Sequence, residues 1–316
     1  ETAFIKKLVS PSAKRTAVKV LKSDLEYPER RGCELVGVSR SVVRYEPLER
    51  EGESELRDRI KELSRRHKRY GYRFVTVLLR REGLRVNHKR VHRLWKSEGL
   101  ALPRKRPKRR RAGETVEVVN KATCRDHVWT YDFVEDRTDK GNKLRMLNIV
   151  DEYTRECLAI RVERSIDSFK VIDTLNWLFL TRAVPGHIRS DNGPEFIAKA
   201  LKGWLVEAGC KTIYIEPGSP WENPYIESFN GKFRDECLNR EVFRNEREAQ
   251  EVVERWRREY NEFRPHSSLG YMTPAEFSLR YGSSSRPPVS FRFHSGDSDD
   301  DTPIVIETTK EKTLTF

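Results

Sequence analysis

Three β-rich segments followed by alternating helical and β patterns constrain the fold of this chain most strongly. Apolar residues alternate or cluster over 128–134, 144–150 and 158–162. A helical pattern over 168–182 then leads to a short strand at 187–190, a helix over 194–208, a strand at 211–215, and helices over 224–239 and 246–261. This order predicts an α/β domain in which helices flank a mixed sheet.

The N-terminal part of the chain carries the basic charge. Residues 1–113 hold 33 Lys and Arg against 14 Asp and Glu, a net charge of +19, whereas the whole chain carries +13. Residues 114–316 are therefore net negative. Such asymmetry is typical of a nucleic-acid partner, with a merely solvated basic surface as the alternative.

Residues 30–45 have the pattern of a helix-turn-helix. Gly37 ends a short apolar helix, and Ser39 is positioned to cap a second helix. Arg40 and Arg44 would lie on one face of that second helix, which enters the DNA major groove in such motifs. An ordinary helical hairpin is the alternative interpretation.

A second all-helical region follows, with helical patterns over 53–67, 74–81 and 87–97. Asn87 is a plausible cap for the last helix, which leaves Lys89 and Arg90 available to phosphates. We therefore predict a helical DNA-binding region over residues 1–102.

A basic linker is predicted over residues 103–124. Residues 104–111 contain seven basic residues and no apolar side chain that could anchor a core. They are Arg104, Lys105, Arg106, Lys108, Arg109, Arg110 and Arg111. The catalytic domain is predicted over 125–282, and the Ser-, Pro- and Asp-rich tail over 283–316 is expected to be disordered.

Three acidic residues are the strongest candidates for chemistry. Asp132 lies in a strand-like run, Asp191 opens Asp-Asn-Gly-Pro-Glu-Phe, and Glu227 lies in a helical segment. Carboxylates suit Mg²⁺ or Mn²⁺, and two such ions can stabilise both oxygens of a phosphodiester exchange.

Each acid also has a structural interpretation. Asp191-Asn-Gly is a common turn, and Glu227 could stabilise a helix N-terminus. Spacing alone does not exclude four neighbouring acids, which are Asp136, Asp151, Glu195 and Glu222.

Composition also limits the class of protein. No run of 18 apolar residues exists, so we expect no transmembrane helix and no membrane partner. The five cysteines are widely spaced without a CxxC pair, which favours a reducing compartment over a disulfide framework. We expect no small-molecule cofactor.

Four stretches resemble the OrfB-type transposases of the insertion-sequence-three family, relatives of retroviral integrases. They are Trp129-Thr-Tyr-Asp-Phe, Ser190-Asp-Asn-Gly-Pro-Glu-Phe, Tyr225-Ile-Glu-Ser-Phe-Asn-Gly-Lys-Phe-Arg-Asp-Glu-Cys-Leu-Asn and Tyr260-Asn-Glu-Phe-Arg-Pro-His-Ser-Ser-Leu-Gly-Tyr-Met-Thr-Pro-Ala-Glu-Phe. The resemblance spans roughly residues 25–280. It implies an RNase H-like catalytic core in which Asp132, Asp191 and Glu227 bind two Mg²⁺ or Mn²⁺ ions.

The resemblance also implies a partner and a reaction. The family places a basic residue seven positions after its glutamate, here Arg234, and we expect Arg234 and Lys232 to contact DNA. The expected substrates are double-stranded terminal inverted repeats and target DNA, cleaved and joined by an oligomer that is at least a dimer. The expected location is the bacterial cytoplasm, in association with the nucleoid.

Two other functions remain open from the sequence. A catalytically inactive DNA-binding regulator of transposition would keep the basic region without the chemistry. A hydrolysis-only nuclease would cut DNA without forming new joints. Residues 1–12 contain no long heptad pattern, so the dimerising segment that such transposases often carry upstream is expected to be absent or to precede Glu1.

Overall fold

The computed structural model describes residues 11–45, 51–101, 121–191, 193–215 and 223–282. The chain divides into two compact units after Arg66. Residues 103–120 of the basic linker predicted over 103–124, and the tail predicted over 283–316, lie outside the described residues. The domain boundaries expected near 102, 124 and 282 fall beside undescribed residues and stay predictions.

The first unit is helical. Its helices are α1 (Pro11–Ser23), α2 (Glu29–Val36), α3 (Arg40–Val43) and α4 (Glu53–Arg66). Val18 of α1 is buried with Cys33 and Val36 of α2. Gly37 ends α2 in the left-handed conformation that glycine adopts without steric cost, with φ of 63°. The Ser39 hydroxyl then accepts a hydrogen bond from the Val42 amide and caps α3. The two helices and the turn predicted from the sequence are therefore present.

The second unit contains a five-stranded mixed sheet with strand order β3-β2-β1-β4-β5. Its strands are β1 (Val128–Arg137), β2 (Lys143–Asp151), β3 (Cys157–Glu163), β4 (His187–Ser190) and β5 (Lys211–Tyr214). Strands β1 to β3 are antiparallel, whereas β4 runs parallel to both β1 and β5. Its helices are α5 (Tyr72–Arg81), α6 (His88–Ser97), α7 (Ser168–Thr181), α8 (Pro194–Ile197), α9 (Lys199–Glu207), α10 (Pro224–Glu236), α11 (Glu246–Glu262) and α12 (Pro274–Tyr281).

Helices cover both faces of this sheet. Alternate residues of β1 point to opposite faces, so Trp129 and Tyr131 join a core with α7, α8 and α9. Val134 points the other way and packs with Phe229 of α10 and Trp256 of α11. The predicted fold class, a mixed sheet flanked by helices, is confirmed.

Helix α5 belongs to the same compact unit as the sheet. Arg81 of α5 forms an ion pair with Glu276 of α12, with 2.7 Å between Nη2 and Oε2. Arg69, just before α5, pairs with Asp235 of α10. These ion pairs connect the segment before the sheet to the helices that follow it.

The sequence predicted one helix over 194–208, and this was wrong at Ala198. Ala198 has an extended backbone with ψ of 134°, which separates α8 from α9. Phe196 before the break is buried against Tyr131 and Phe133. Leu201 and Leu205 after the break are buried in the same core, so the break lets both short helices bury their apolar side chains.

Two expectations from composition concern cysteines and membranes. All five cysteines lie among the described residues and are free thiols. None of the helices in the described ranges is both long and apolar enough to cross a membrane.

Candidate active site

Asp132 and Asp191 are placed by the parallel pairing of β1 and β4. Thr130 is paired with Arg189 in this register, and each aspartate follows two residues later in its strand direction. Neighbouring strands lie about 4.8 Å apart, so the register brings both aspartates to one edge of the sheet. Asp132 is half-buried, whereas Asp191 is exposed just after β4.

Glu227 lies in the first turn of α10, on the side of the sheet that Asp132 faces. The Thr130 hydroxyl donates a hydrogen bond of 2.6 Å to Oδ1 of Asn223, the residue before α10. Both side chains are buried. This bond ties β1 to the beginning of α10 and so fixes the helix turn that carries Glu227.

Asn230 links α10 to Asp132 directly. Its Nδ2 donates to Oδ2 of Asp132 at 2.8 Å, while its Oδ1 accepts from Nδ2 of Asn148 at 2.7 Å. Asn148 is fully buried opposite Asp132 on β2. The Phe133 amide donates to Oδ1 of Asp132 at 2.7 Å, so both oxygens of this carboxylate have a defined donor.

The charges of the other two acids act on the Asp132 carboxyl. Burial raises the pKa of Asp132 to about 6, and the negative charges of Asp191 and Glu227 raise this pKa as well. The hydrogen bonds from the Phe133 amide and Asn230 act in the opposite direction and favour the ionised form. The two like charges near Asp132 are what a bound cation would compensate.

The three carboxylates are not arranged around a common point. In the parts of the chain that the structure describes, no group of three His, Cys, Asp or Glu side chains is close enough to hold one metal ion. The donor set nevertheless fits Mg²⁺ or Mn²⁺, because it consists of carboxylate oxygens at one sheet edge.

Asp191 also has the turn geometry that its sequence suggested. Its Oδ1 accepts a hydrogen bond of 3.0 Å from the Gly193 amide. Such side-chain-to-backbone bonds are typical of Asp in turns. The structural and the functional interpretations of Asp191 are therefore compatible.

The two basic residues predicted on α10 point to different sides of the helix. Arg234 is exposed on the side of Glu227, and its Nη2 donates to the Glu135 carbonyl at 2.9 Å. Lys232 is half-buried on the opposite side and donates to the Ser228 hydroxyl at 2.8 Å. Burial, followed by the charge of Arg264, lowers the pKa of Lys232 to about 8.

Two of the four neighbouring acids, Glu195 and Asp151, are bound to other groups of the protein. Glu195 is paired with Arg145, with 2.5 Å between Oε1 and Nη1, and this pairing lowers the pKa of its carboxyl. Asp151 is buried and accepts hydrogen bonds from the amides of Asp126, Tyr153 and Thr154. Both carboxylates are therefore satisfied by the protein.

The other two neighbouring acids are Asp136 and Glu222. Asp136 lies near the end of β1 and accepts a hydrogen bond from the Arg137 amide at 2.7 Å. Glu222 lies outside the described residues.

The basic residues predicted to bind DNA in the N-terminal region are largely exposed. Arg40 and Arg44 both pair with Glu29, at 3.2 Å and 2.8 Å. Lys89 is exposed in the first turn of α6, and Arg90 beside it is half-buried. The seven basic residues between 104 and 111 are not among the described residues.

Sequence reasoning missed the polar residues that support the acids. Asn230 could have been found, because it lies three residues after Glu227 and therefore on the same helix face. Asn148 and Asn223 gave no such signal, because their partners lie 82 and 93 residues away along the chain.

Family models match most of the second unit and helix α4 of the first unit. An Integrase core domain model matches residues 122–220, and a second model of that description matches residues 208–274. An HTH-like domain model matches residues 51–108, which contain α4, α5 and α6. That match covers the second helical region predicted from the sequence and leaves the helix-turn-helix predicted at 30–45 outside it.

Several curated relatives are proteins of bacterial insertion elements. An uncharacterized 39.2 kDa protein of insertion element IS476 from Xanthomonas euvesicatoria is 39% identical over 87% of this chain and 79% of the relative. An uncharacterized 31.7 kDa protein of IS407 from Burkholderia multivorans is 39% identical over 86% of this chain and 98% of the relative. The transposase for IS629 from Shigella sonnei is 30% identical over 68% of this chain and 75% of the relative. The chain therefore belongs to the integrase-core transposase family of bacterial insertion elements.

Proposed function

We propose that Asp132, Asp191 and Glu227 are the catalytic residues of this transposase and together hold two divalent metal ions. The observation that carries the proposal is geometric: the register of β1 and β4 brings Asp132 and Asp191 to one sheet edge, and Asn230 links Asp132 to α10, the helix that carries Glu227. The integrase core family depends on divalent metal, and carboxylates at the edge of a rigid sheet suit Mg²⁺ or Mn²⁺.

In the proposed reaction the enzyme first cleaves a strand at an end of the insertion element. The 3′-hydroxyl released in that step then attacks a new phosphodiester in the target DNA. When bound, two divalent ions supply charge stabilisation for the attacking and leaving oxygens. No Ser or Tyr nucleophile is required, because both steps are direct exchanges at phosphorus.

The protein contributes orientation of the carboxylates. Asn230 and the Phe133 amide fix the two oxygens of Asp132 and favour its ionised form. The Thr130–Asn223 bond fixes the turn that carries Glu227. These bonds hold the side chains before DNA binds, which is the condition for electrostatic stabilisation without reorganisation.

The proposed substrate is double-stranded DNA, as terminal inverted repeats and as target. Arg234 lies on the Glu227 side of α10, where a phosphate near the acids would be within reach. Lys232, Arg40, Arg44, Lys89, Arg90 and the basic residues of 104–111 are proposed to bind phosphates in other places. We further propose that the chain acts as at least a dimer, at the bacterial nucleoid.

The retention of all three acids and of Arg234 argues against an inactive regulator. A strand-transfer assay with labelled duplex DNA and Mg²⁺ tests the proposal. Joined products are expected from the native protein, and hydrolysed products without joints would instead indicate a nuclease.

We expect Asn230→Ala to raise the Mg²⁺ concentration required for half-maximal cleavage by about 10-fold. Outer residues that orient metal ligands typically contribute 10- to 100-fold in affinity or activity, and Asn230 is the side-chain donor to Asp132. A Mg²⁺ titration of cleavage measures the effect. The matched control is Asn176→Ala, at an exposed position of α7. An unchanged Mg²⁺ requirement in Asn230→Ala would contradict the orienting role.

We expect the double variant Arg40→Gln, Arg44→Gln to weaken DNA binding and to flatten its salt dependence. Each phosphate contact that is lost should reduce the slope of log K against log salt by about 0.9. Fluorescence anisotropy over a salt series measures the slope. Arg30→Gln is the control, because Arg30 is an exposed arginine outside α3. Equal slopes in the double variant and the native protein would exclude α3 as a DNA-binding element.

A further inference from the structure

The short helix α8, which follows the Asp191 turn, is attached to the sheet by one ion pair and one ring stack. Glu195 in this helix pairs with Arg145 of β2, with 2.5 Å between Oε1 and Nη1. The next residue, Phe196, is buried and stacks on Phe133 of β1, with ring centroids 4.8 Å apart and an angle of 4° between the ring planes. The segment that follows Asp191 is therefore fastened to both β1 and β2.

Arg145 contacts a neighbour of each candidate aspartate. Its guanidinium lies over the Phe133 ring, 3.8 Å from the centroid. Phe133 follows Asp132 in β1 and donates its amide to that carboxylate. The Arg145 Nη1 donates to Glu195, four residues after Asp191. One side chain thus joins the strand that carries Asp132 to the segment that carries Asp191.

The Arg145 side chain lies on the sheet face that α7, α8 and α9 cover. It alternates along β2 with Leu144 and Met146, which pack toward α10. Asp132 is on the α10 side, where it accepts the Asn230 hydrogen bond. An effect of Arg145 on the acids therefore passes through the residues next to them, which makes Arg145 a positioning residue and not a catalytic one.

The Asp191 turn is packed closely against α8. The Gly193 amide donates to Oδ1 of Asp191 at 3.0 Å. A Cβ added at Gly193 would lie 3.1 Å from that oxygen and 3.3 Å from Cδ2 of Phe196. Because the turn and the helix approach each other this closely, a shift of α8 would move the Asp191 carboxylate as well.

The Arg145–Glu195 pair occupies a place where apolar side chains would also pack. Each of its side chains is only 19% exposed, and Leu147 and Phe196 on the same sheet face are buried. The Arg145 Nε is buried without a hydrogen-bond partner among the described residues, which is unfavourable. Apolar replacement of such pairs is often neutral or stabilising, so we attribute this pair to the geometry that it fixes.

We propose that Arg145 sets the separation between Asp132 and Asp191. Its ion pair with Glu195 and its contact with Phe133 keep the Asp191 turn against β1, at the spacing that two carboxylates need to share divalent ions. A loosened turn would keep both acids but let their separation vary, and metal affinity would fall. This inference rests on the proposed metal-binding role of the acids.

The first test is hydrogen–deuterium exchange of the full chain without metal or DNA. Glu195→Gln keeps the size of the side chain and removes its charge, and Arg145→Met removes the cation. Both variants should exchange the amides of residues 190–197 several-fold faster than the native chain. Arg161→Met is the matched control, because Arg161 lies on the same sheet face in β3 and pairs with Glu163 and Asp173 instead. The control should leave exchange at 190–197 unchanged.

The second test is a Mn²⁺ titration of the same proteins without DNA, in which electron paramagnetic resonance measures the free ion. We expect both Glu195→Gln and Arg145→Met to raise the Kd for Mn²⁺ by about 10-fold. Arg145→Lys keeps a cation for Glu195 and should retain more affinity than Arg145→Met. The Arg161→Met control should bind Mn²⁺ as the native chain does.

Native exchange at 190–197 in both Glu195→Gln and Arg145→Met would overturn the proposal. Faster exchange with an unchanged Mn²⁺ affinity would overturn it as well, because the position of the turn would then not affect the metal. Asp132→Asn separates these results from a failure of the catalytic assignment. If Asp132→Asn binds Mn²⁺ as well as the native chain does, the proposed acids are wrong, whereas exchange at 190–197 still decides whether Arg145 holds the turn.

Discussion

Glu227→Gln is expected to lower the rates of strand cleavage and strand transfer by about 1,000-fold or more while DNA binding stays close to normal. The substitution keeps the size of the side chain and removes the charge that would bind a divalent ion. Loss of several kcal/mol of transition-state stabilisation corresponds to a rate change of this order. No basic side chain is removed, so the phosphate contacts that determine affinity are kept.

The measurement is a strand-transfer assay with a duplex that carries the terminal repeats of the element, run beside a binding assay with the same DNA. Glu241→Gln is the matched control, because Glu241 is exposed and lies after α10. The control should cleave and join normally. Cleavage by Glu227→Gln at the native rate would show that the catalytic glutamate has been assigned wrongly.

Asp132→Asn should give the same loss of cleavage for an additional reason. Each oxygen of the Asp132 carboxylate accepts a hydrogen bond. Asparagine has a single side-chain oxygen, so its NH₂ group would face either the Phe133 amide or the Asn230 amide, both of which are donors. Loss of both activities with normal DNA binding would support a shared metal site. Asp132→Asn therefore tests the residue that β1 contributes to the proposed site, and Glu227→Gln tests the residue that α10 contributes.

The sequence predicted the sheet because the strands have strong local patterns. Trp129 and Tyr131 alternate with Thr130 and Asp132 along β1, and the structure buries both aromatic side chains in one core. The three acids could be chosen because their surrounding motifs resemble those of a known family. Local sequence patterns and the family resemblance were thus sufficient to select the three acids as catalytic candidates.

The hydrogen bonds that hold the candidate site in place could not be predicted in the same way. The bonds Thr130–Asn223 and Asn148–Asn230 depend on how α10 packs on the sheet, which no local pattern specifies. The break at Ala198 was missed for a related reason, because it is determined by the burial of Phe196 against β1. Tertiary packing thus overrides local helix propensity at Ala198.

A buried ion pair next to Asp191 could not be predicted from the sequence either. Nε of Arg189 donates to Oε1 of Glu152 at 2.7 Å, and the two residues are each 1% exposed. They lie 37 residues apart along the chain. Arg189 is in β4, two residues before Asp191, so the pair supports the strand that delivers this aspartate to the sheet edge.

Arg189→Met is expected to reduce the free energy of unfolding by about 3–5 kcal/mol, because it leaves the Glu152 carboxylate buried without its cation. Burial raises the pKa of Glu152, and the charge and hydrogen bond of Arg189 oppose this rise. Denaturant unfolding of the native and variant chains measures the loss. Arg244→Met is the control, because Arg244 forms an exposed ion pair with Glu248 and should have little effect.

The double variant Arg189→Met, Glu152→Gln decides the cause of that loss. If the unpaired charge is responsible, removing it should restore much of the stability lost in the single variant. The single variant should also respond to pH. Without Arg189 the folded-state pKa of Glu152 rises further above its unfolded value, so stability is lost as pH rises and is partly regained as pH falls and the carboxyl binds a proton. A double variant as unstable as Arg189→Met, with no recovery at lower pH, would instead mean that Arg189 stabilises β4 through its packing.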